Sequence, residues 1–155
     1  MKVRSKHIDS ENLKKYGQAV TEPRGEPTAQ AADFKFWSDI ARYFIDDETE
    51  VGICTVFKQP ADEISGLERH VRTPEILIPI DAPFVVPLLL DGCSEDQVEA
   101  FQINVGEAII IDRAVWHGAS LPVGKETSSY FVIFRRGTPH NDVEIKKIEP
   151  IELVI

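Results

Sequence analysis

The chain has 155 residues, enough for one hydrophobic core, and with 43% of them apolar and 8% aromatic it has the composition of a folded globular protein. Its 26 acids against 17 bases leave a net charge of −9, which argues against non-specific DNA or RNA binding and against an anionic membrane surface, since both reward clustered Lys and Arg. A small-molecule ligand is the better expectation. In chain order, Asp9, Ser10, Glu11 and Asn12 offer N-cap residues, Leu13 and Tyr16 one apolar stripe and Gly17 a stop, so residues 10–16 read as a short helix. Pro23, Gly25 and Pro27 make residues 21–30 a surface loop. Over residues 33–46 the apolar positions Phe36, Trp37, Ile40, Ala41, Phe44 and Ile45 fit a helical period, yet Phe34 and Phe36 alternate as a strand would, and periodicity leaves both open. Beyond residue 50 the pattern turns to β, with segments 51–57, 75–80, 84–90, 98–105, 108–112 and 129–135 rich in Val, Ile and Phe and punctuated by proline and glycine. Short strands with such turns indicate an antiparallel sandwich or barrel. The expectation is an all-β domain over residues 1–155, with a helix and loop in 1–32 and the barrel over about 33–150.

Residues 1–7 are polar, unlike a secretory signal, and no run approaches the ~20 apolar residues of a membrane span. The expectation is a soluble, cytoplasmic protein. Cys54 and Cys93 stand far apart with no CxxC partner, which favours free thiols over a disulfide framework or zinc knuckle. The alternating tail at 144–149 reads as an edge strand or dimer contact. No Walker loop or GxGxxG after a strand is present.

Two segments place metal-ligand residue types at strand spacing. In the first, from Gly66 to Glu75, Glu68 and His70 are two apart and share a face on a strand, while Glu75 has the wrong parity unless the chain bends at Thr73 and Pro74. In the second, Gly106 lies eleven residues before His117 with an apolar strand between. The pairing of an x-His-x4-Glu block with a later Gly-x10-His block resembles the two motifs of the cupin superfamily, double-stranded β-helix barrels whose ligands line the interior. That resemblance makes Glu68, His70, Glu75 and His117 candidate ligands for a divalent ion such as Mn, Fe, Ni or Zn, two carboxylates offsetting its charge. Each also has a bland reading. Glu68 beside Arg69 reads as a surface pair, a lone strand histidine is usually hydrogen-bonded or exposed, and Glu75 can pair with Arg72 or Arg69 at the surface.

Taken together, the Gly66-Leu67-Glu68-Arg69-His70 block, Ile78-Pro79, the stretch from Asp112 to His117, and Phe131 to Arg136 with Gly137 resemble the ureidoglycolate lyase family in their order along the chain. Tyr16-Gly17 and the segment from Trp37 to Ala41 extend the resemblance towards the start. It implies a homodimeric, cupin-like enzyme that splits ureidoglycolate to glyoxylate and urea in allantoin breakdown. It also implies catalytic roles for His117, Glu68 and His70, and a substrate-binding role for Arg113 with Asp112 and Trp116 beside it. The departures are specific: Asp112, Gly118 and Ser38 stand where the family has histidine, Glu75 where it has glutamine and Arg135 where it has aspartate. An imidazole exchanged for these groups loses proton transfer near neutral pH.

Arg113 can anchor a carboxylate bidentately or pair with Asp112, and Trp116 can stack on a substrate or pack the barrel wall. His7, His140, Asp39 and Lys58 read as surface residues. Against the lyase stand a non-catalytic cupin module binding a small acid, sugar or metal, and a related enzyme acting on another ureido acid, amide or keto acid.

Overall fold

The β-branched and aromatic segments do form strands. The computed structural model describes residues 1–155, with β1 (Lys2–His7), β2 (Gly17–Val20), β3 (Ala29–Gln30), β4 (Lys35–Phe36), β5 (Thr49–Phe57), β6 (Glu63–Arg69) and β7 (Glu75–Pro79). They are followed by β8 (Phe84–Leu89), β9 (Glu99–Ile103), β10 (Ala108–Ile111), β11 (Trp116–His117), β12 (Leu121–Pro122), β13 (Thr127–Arg135) and β14 (Glu144–Val154). Helix is confined to a 3₁₀ turn at Glu95–Gln97 and the single turn α1 at Thr138–Asn141. No helix is long and apolar enough to cross a membrane.

The larger sheet runs β11-β6-β14-β1-β9-β8-β12, and because β11 also pairs with β8 it closes on itself as a barrel. The second sheet runs β2-β10-β7-β13-β5 and faces it. Strand alternation assigns the side chains to two cores. On β8, Phe84, Val86 and Leu88 point to the opposing sheet and meet Leu77, Ile109, Ile111 and Tyr130, whereas Val85 and Leu89 point into the closed sheet with Leu67, Trp116 and Ile151. The molecule is therefore all-β with a closed barrel, as expected, but its helices are not where the sequence suggested.

Residues 10–16 are turns rather than a helix. Asp9 caps as anticipated, its Oδ1 accepting the amides of Glu11 and Asn12 at 2.8 Å. The backbone bonds then alternate in type, Leu13 to Asp9 but Tyr16 to Leu13, and Gly17 already pairs with Ile111 of β10. So short a segment does not offset the cost of helix nucleation; burial of Leu13 and Tyr16 holds it instead. Residues 33–46 are neither helix nor long strand. Only the β3–β4 pair is regular, and Phe34, Phe36, Ile40, Tyr43 and Phe44 are exposed, so that apolar period has no core to face.

The N-terminal region, expected to lie outside the barrel, supplies part of it. β1 sits between β14 and β9, parallel to both, with Lys2 opposite Glu152 and Ser5 opposite Ala100. β14 is accordingly an interior strand, not an edge. Pro150, which lacks an amide, falls inside its register shift between Lys147 and Ile151, where a ladder bond is not required.

Candidate metal centre and cavity

Glu68 and His70 lie at the end of β6, and the chain then crosses between sheets to start β7 at Glu75. The bend anticipated at Thr73 and Pro74 is thus a full crossover, which removes the parity problem. Thr73 fixes it: its hydroxyl donates to the Pro74 carbonyl at 2.8 Å and accepts the Arg135 amide at 3.0 Å. His117 enters from β11, opposite Glu68 on one side and Leu88 on the other. Gly118 lets the strand pass, since a Cβ there would come within 2.5 Å of the Pro87 side chain.

His70 Nδ1 lies 2.6 Å from the Asp142 carbonyl oxygen. A carbonyl only accepts, so the proton is on Nδ1 and the Nε2 lone pair points into the site. The Asp142 carboxylate anchors the same loop, accepting the amides of Val71 at 3.0 Å and Arg72 at 2.8 Å. Glu75 Oε2 is 3.1 Å from His117 Nε2 and 3.8 Å from His70 Nε2. All three atoms are buried, and none has a hydrogen-bond partner.

Glu68 stands slightly apart, Oε1 4.0 Å from His117 Nδ1. With the two imidazoles it can bring ligand atoms within 4.8 Å of one another. The set through Glu75 is the better enclosed, its side chain 9% exposed against 45% for Glu68.

Each unpaired buried polar atom costs about 1–3 kcal/mol, so three at one point mark a place built for something that satisfies them. Burial drives Glu75 up to about 7, with Glu68 adding to the rise and His70 opposing it. Burial and neighbouring His70 push His117 down, towards its neutral form. The result is two lone-pair imidazoles around a carboxyl near its titration point. This donor set suits a first-row divalent cation, and the Asp142 carbonyl on the far nitrogen of His70 is the outer contact such a ligand ordinarily makes.

Glu68, Glu75 and His117 line a cavity of about 290 Å³ between the sheets, with His70 behind them. Leu77, Val86, Val132 and Phe134 give it apolar walls, Glu50, Ser120 and Tyr130 polar ones, and none of the lining residues is Lys or Arg. Burial, reinforced by Cys54, raises the Tyr130 hydroxyl above its usual value, so it stays protonated as a donor.

The structure brings together Glu68, His70, Glu75 and His117 and leaves the other candidates elsewhere. Arg113 is exposed on the turn after β10 and donates to the Phe44 carbonyl at 3.1 Å, with Asp112 exposed beside it. Trp116 points away from His117 into the closed sheet, donating from Nε1 to Asp91 at 3.2 Å under the Arg69 guanidinium, 4.4 Å from its ring centre. Neither Arg69 nor Arg72 pairs with Glu75: Arg69 is held by Asp91 and Glu144, and the Arg72 side chain is exposed. Arg135 is held by Asp46 and Asp47, His7 by Glu107 at the surface, and Asp39 by Arg42; His140 and Lys58 are exposed. Asp142, Glu50, Ser120 and Tyr130 were not singled out from sequence. For Asp142 no side-chain signal was available, because the group that touches His70 is a backbone carbonyl.

The family described as "Ureidoglycolate lyase" matches residues 1–154. A Schizosaccharomyces pombe protein named "Ureidoglycolate lyase" is 30% identical over 105 residues, 61% of this chain. The match spans 55% of that protein's length, a little over half. Among solved structures, a Bacillus subtilis oxalate decarboxylase described for its Mn(II) centres aligns over 63% of this chain and 24% of its own, with 17% identity and a TM-score of 0.47. A Lactobacillus farciminis oxalate decarboxylase formate complex aligns over 63% and 26%, with 13% identity and a TM-score of 0.48.

Proposed function

Since this chain belongs to the ureidoglycolate lyase family, we propose that it cleaves ureidoglycolate, or a closely related ureido acid, to glyoxylate and urea in allantoin breakdown. The observation that carries this reading is the meeting of His70 Nε2, Glu75 Oε2 and His117 Nε2, buried and unpartnered, at a cavity with no Lys or Arg in its lining. A carboxylate substrate entering it has no side-chain cation to meet. His70, Glu75 and His117 would hold a divalent ion, which would supply Lewis-acid charge at substrate oxygens, and Glu68 at the rim is left free of it.

Glu68 is the acid–base group. It is the exposed carboxylate of the set and reaches the cavity, so it can exchange protons with a substrate. It takes the proton from the hydroxyl of the hemiaminal carbon; the oxygen's electrons form the aldehyde C=O as the C–N bond breaks, and Glu68 returns the proton to the departing urea nitrogen. The apolar walls exclude water and strengthen each of these contacts.

The test is urea and glyoxylate release by the purified protein with Mn, Fe, Ni or Zn added, beside Glu68→Gln and His117→Ala. Turnover should fall at least ~100-fold in Glu68→Gln with metal content unchanged, and His117→Ala should lose both metal and turnover. Folded protein that releases no urea with any of these metals overturns the reading. Metal and small-acid binding without turnover would instead fit a non-catalytic cupin module.

We further infer a homodimer and a cytoplasmic setting. β5 is a nine-residue edge strand paired without a bulge to β13 on one side only. Its outward Val51, Ile53 and Phe57 are exposed, as is Phe131 beside Ile53. A long, flat apolar edge needs cover, and a second copy about a two-fold axis supplies an identical one. The two free, half-buried cysteines suit a reducing compartment.

A further inference from the structure

The cavity wall facing the histidines carries features that the cleavage chemistry leaves unused. Glu50, Gly52 and Cys54 line the cavity from alternate positions of β5. Glu50 Oε2 accepts the Gly137 amide at 2.8 Å, which fixes the carboxylate's orientation. No cation neutralises it: Arg135 and Arg136, near the end of the paired strand, are held by Asp46, Asp47 and Glu48. Glu50 lies opposite Phe134 on β13, and Ile133 lies opposite Ile76 on β7. The next step along that register sets Phe134 beside Glu75. Glu50 and Glu75 therefore face one cavity at one level, two strands apart, ~10 Å between backbones.

Phe134 stands between them on that level, and the bare part of the wall lies next to Glu50, at Gly52. Gly52 has no left-handed φ, and a Cβ there would meet only the Val132 carbonyl, at 4.0 Å. Neither backbone nor packing requires glycine at this position, so what its missing side chain provides is room in the cavity. Glycine also weakens a strand interior, which makes its presence in the middle of β5 the more telling.

We propose that Glu50 is a specificity-determining residue that accepts hydrogen bonds from a planar, N–H-rich end of the substrate, a ureido or guanidino group, with Gly52 keeping open the space that the substrate spans. This rests on the same cavity being the substrate site. A carboxylate matches paired, coplanar N–H donors through two parallel bonds. It repels a second carboxylate, so small diacids are excluded from this end and the substrate's own carboxylate is directed towards the ion that His70, Glu75 and His117 would hold. The ion that the buried, unpartnered atoms at that opposite end would hold gives the ligand its second anchor.

The test is calorimetric binding of three unreactive probes to the Mn-loaded protein: ureidoacetate, guanidinoacetate, and glycolate as the control lacking the N–H-rich end. Glu50→Leu should weaken both nitrogen probes at least tenfold and leave glycolate and Mn affinity unchanged. Glu50→Gln, which keeps the shape and one acceptor, should retain part of the ureidoacetate affinity and lose more for guanidinoacetate. Gly52→Val should weaken both nitrogen probes without lowering Tm. Equal ureidoacetate and guanidinoacetate affinity in wild type and Glu50→Leu overturns the assignment. So does a parallel loss for glycolate, which would mean that Glu50 only supports the fold. Wild type that binds glycolate but neither nitrogen probe overturns it as well. Urea release without Glu50-dependent binding would keep the lyase reading and remove this one, and Glu50-dependent binding without urea release would do the reverse.

Discussion

At the scale of single residues, the balance at Glu75 sets how the metal-free protein responds to pH. Its carboxyl is raised by burial to about 7 in the fold, above its unfolded value, so its contribution to stability is complete below the unfolded pKa and is lost as pH rises through about 7. The difference is on the order of 3 kcal/mol. Glu75→Gln should therefore flatten the loss of stability of chelator-treated protein between pH 5 and about 8, read by urea denaturation; an unchanged profile would show that Glu75 is not the titrating group. Metal binding needs the ionised form, so Mn affinity should rise with pH up to about 7 and level off above it, by calorimetry. Asp142 acts one contact further out. Asp142→Ala frees the amides of Val71 and Arg72 that hold His70 in place, and should cost ~10–100-fold in metal affinity while the fold survives.

Among the elements, the end of β6 is tied to its neighbours by one side chain. Arg69 reaches Asp91 after β8 at 2.8 Å and Glu144 on β14 at 2.6 Å, and its guanidinium lies over Trp116 of β11. Both acid partners are open to solvent, so each pair is worth little once screened, and the stacking adds ~0.5–1 kcal/mol. Arg69→Ala should lower Tm by roughly 2–4 °C and, because β6 carries Glu68, reduce turnover more than that modest loss of stability accounts for. Arg69→Lys keeps the charge without the planar stack and should recover little of either. Both follow from thermal melts beside a urea-release assay.

For the whole molecule, closure of the larger sheet depends on segments distant in the chain. β14 lies between β6 and β1, so the last residues join the first to the middle. Deleting residues 144–155 would open the ring and expose Ile64 and Leu67; the expected outcome is insoluble or protease-sensitive protein rather than a shortened barrel. The open side of the second sheet is a separate matter. Ile53→Lys places a charge on the exposed face of β5 and should convert a dimer to monomer in sedimentation velocity, with the monomer's Tm little changed; a monomeric wild type would remove the dimer.

The sequence by itself determined the β-rich class and six of the strands to within about two residues, because a strand with one buried face leaves a period-two record; spacing alone paired Glu68 with His70, while Glu75 and His117 joined them only through the resemblance to cupin motifs. It did not show β1, whose only apolar residue before His7 is Val3 and whose strand geometry comes from the neighbours on either side. It made 10–16 a helix because a cap and two apolar residues look the same whether the turn continues or stops. Arg113, Asp112 and Trp116 stand next to His117 in sequence but apart from it in space, since the turn before β11 faces outward and alternate residues of a strand face opposite ways. Only the tertiary structure decided that His70 is oriented by a backbone carbonyl seventy-two residues away, and that Glu50 and Glu75 line one cavity from strands on either side of β13. Such contacts are made by strands crossing between sheets, and pairing over those distances leaves no periodic trace in the chain.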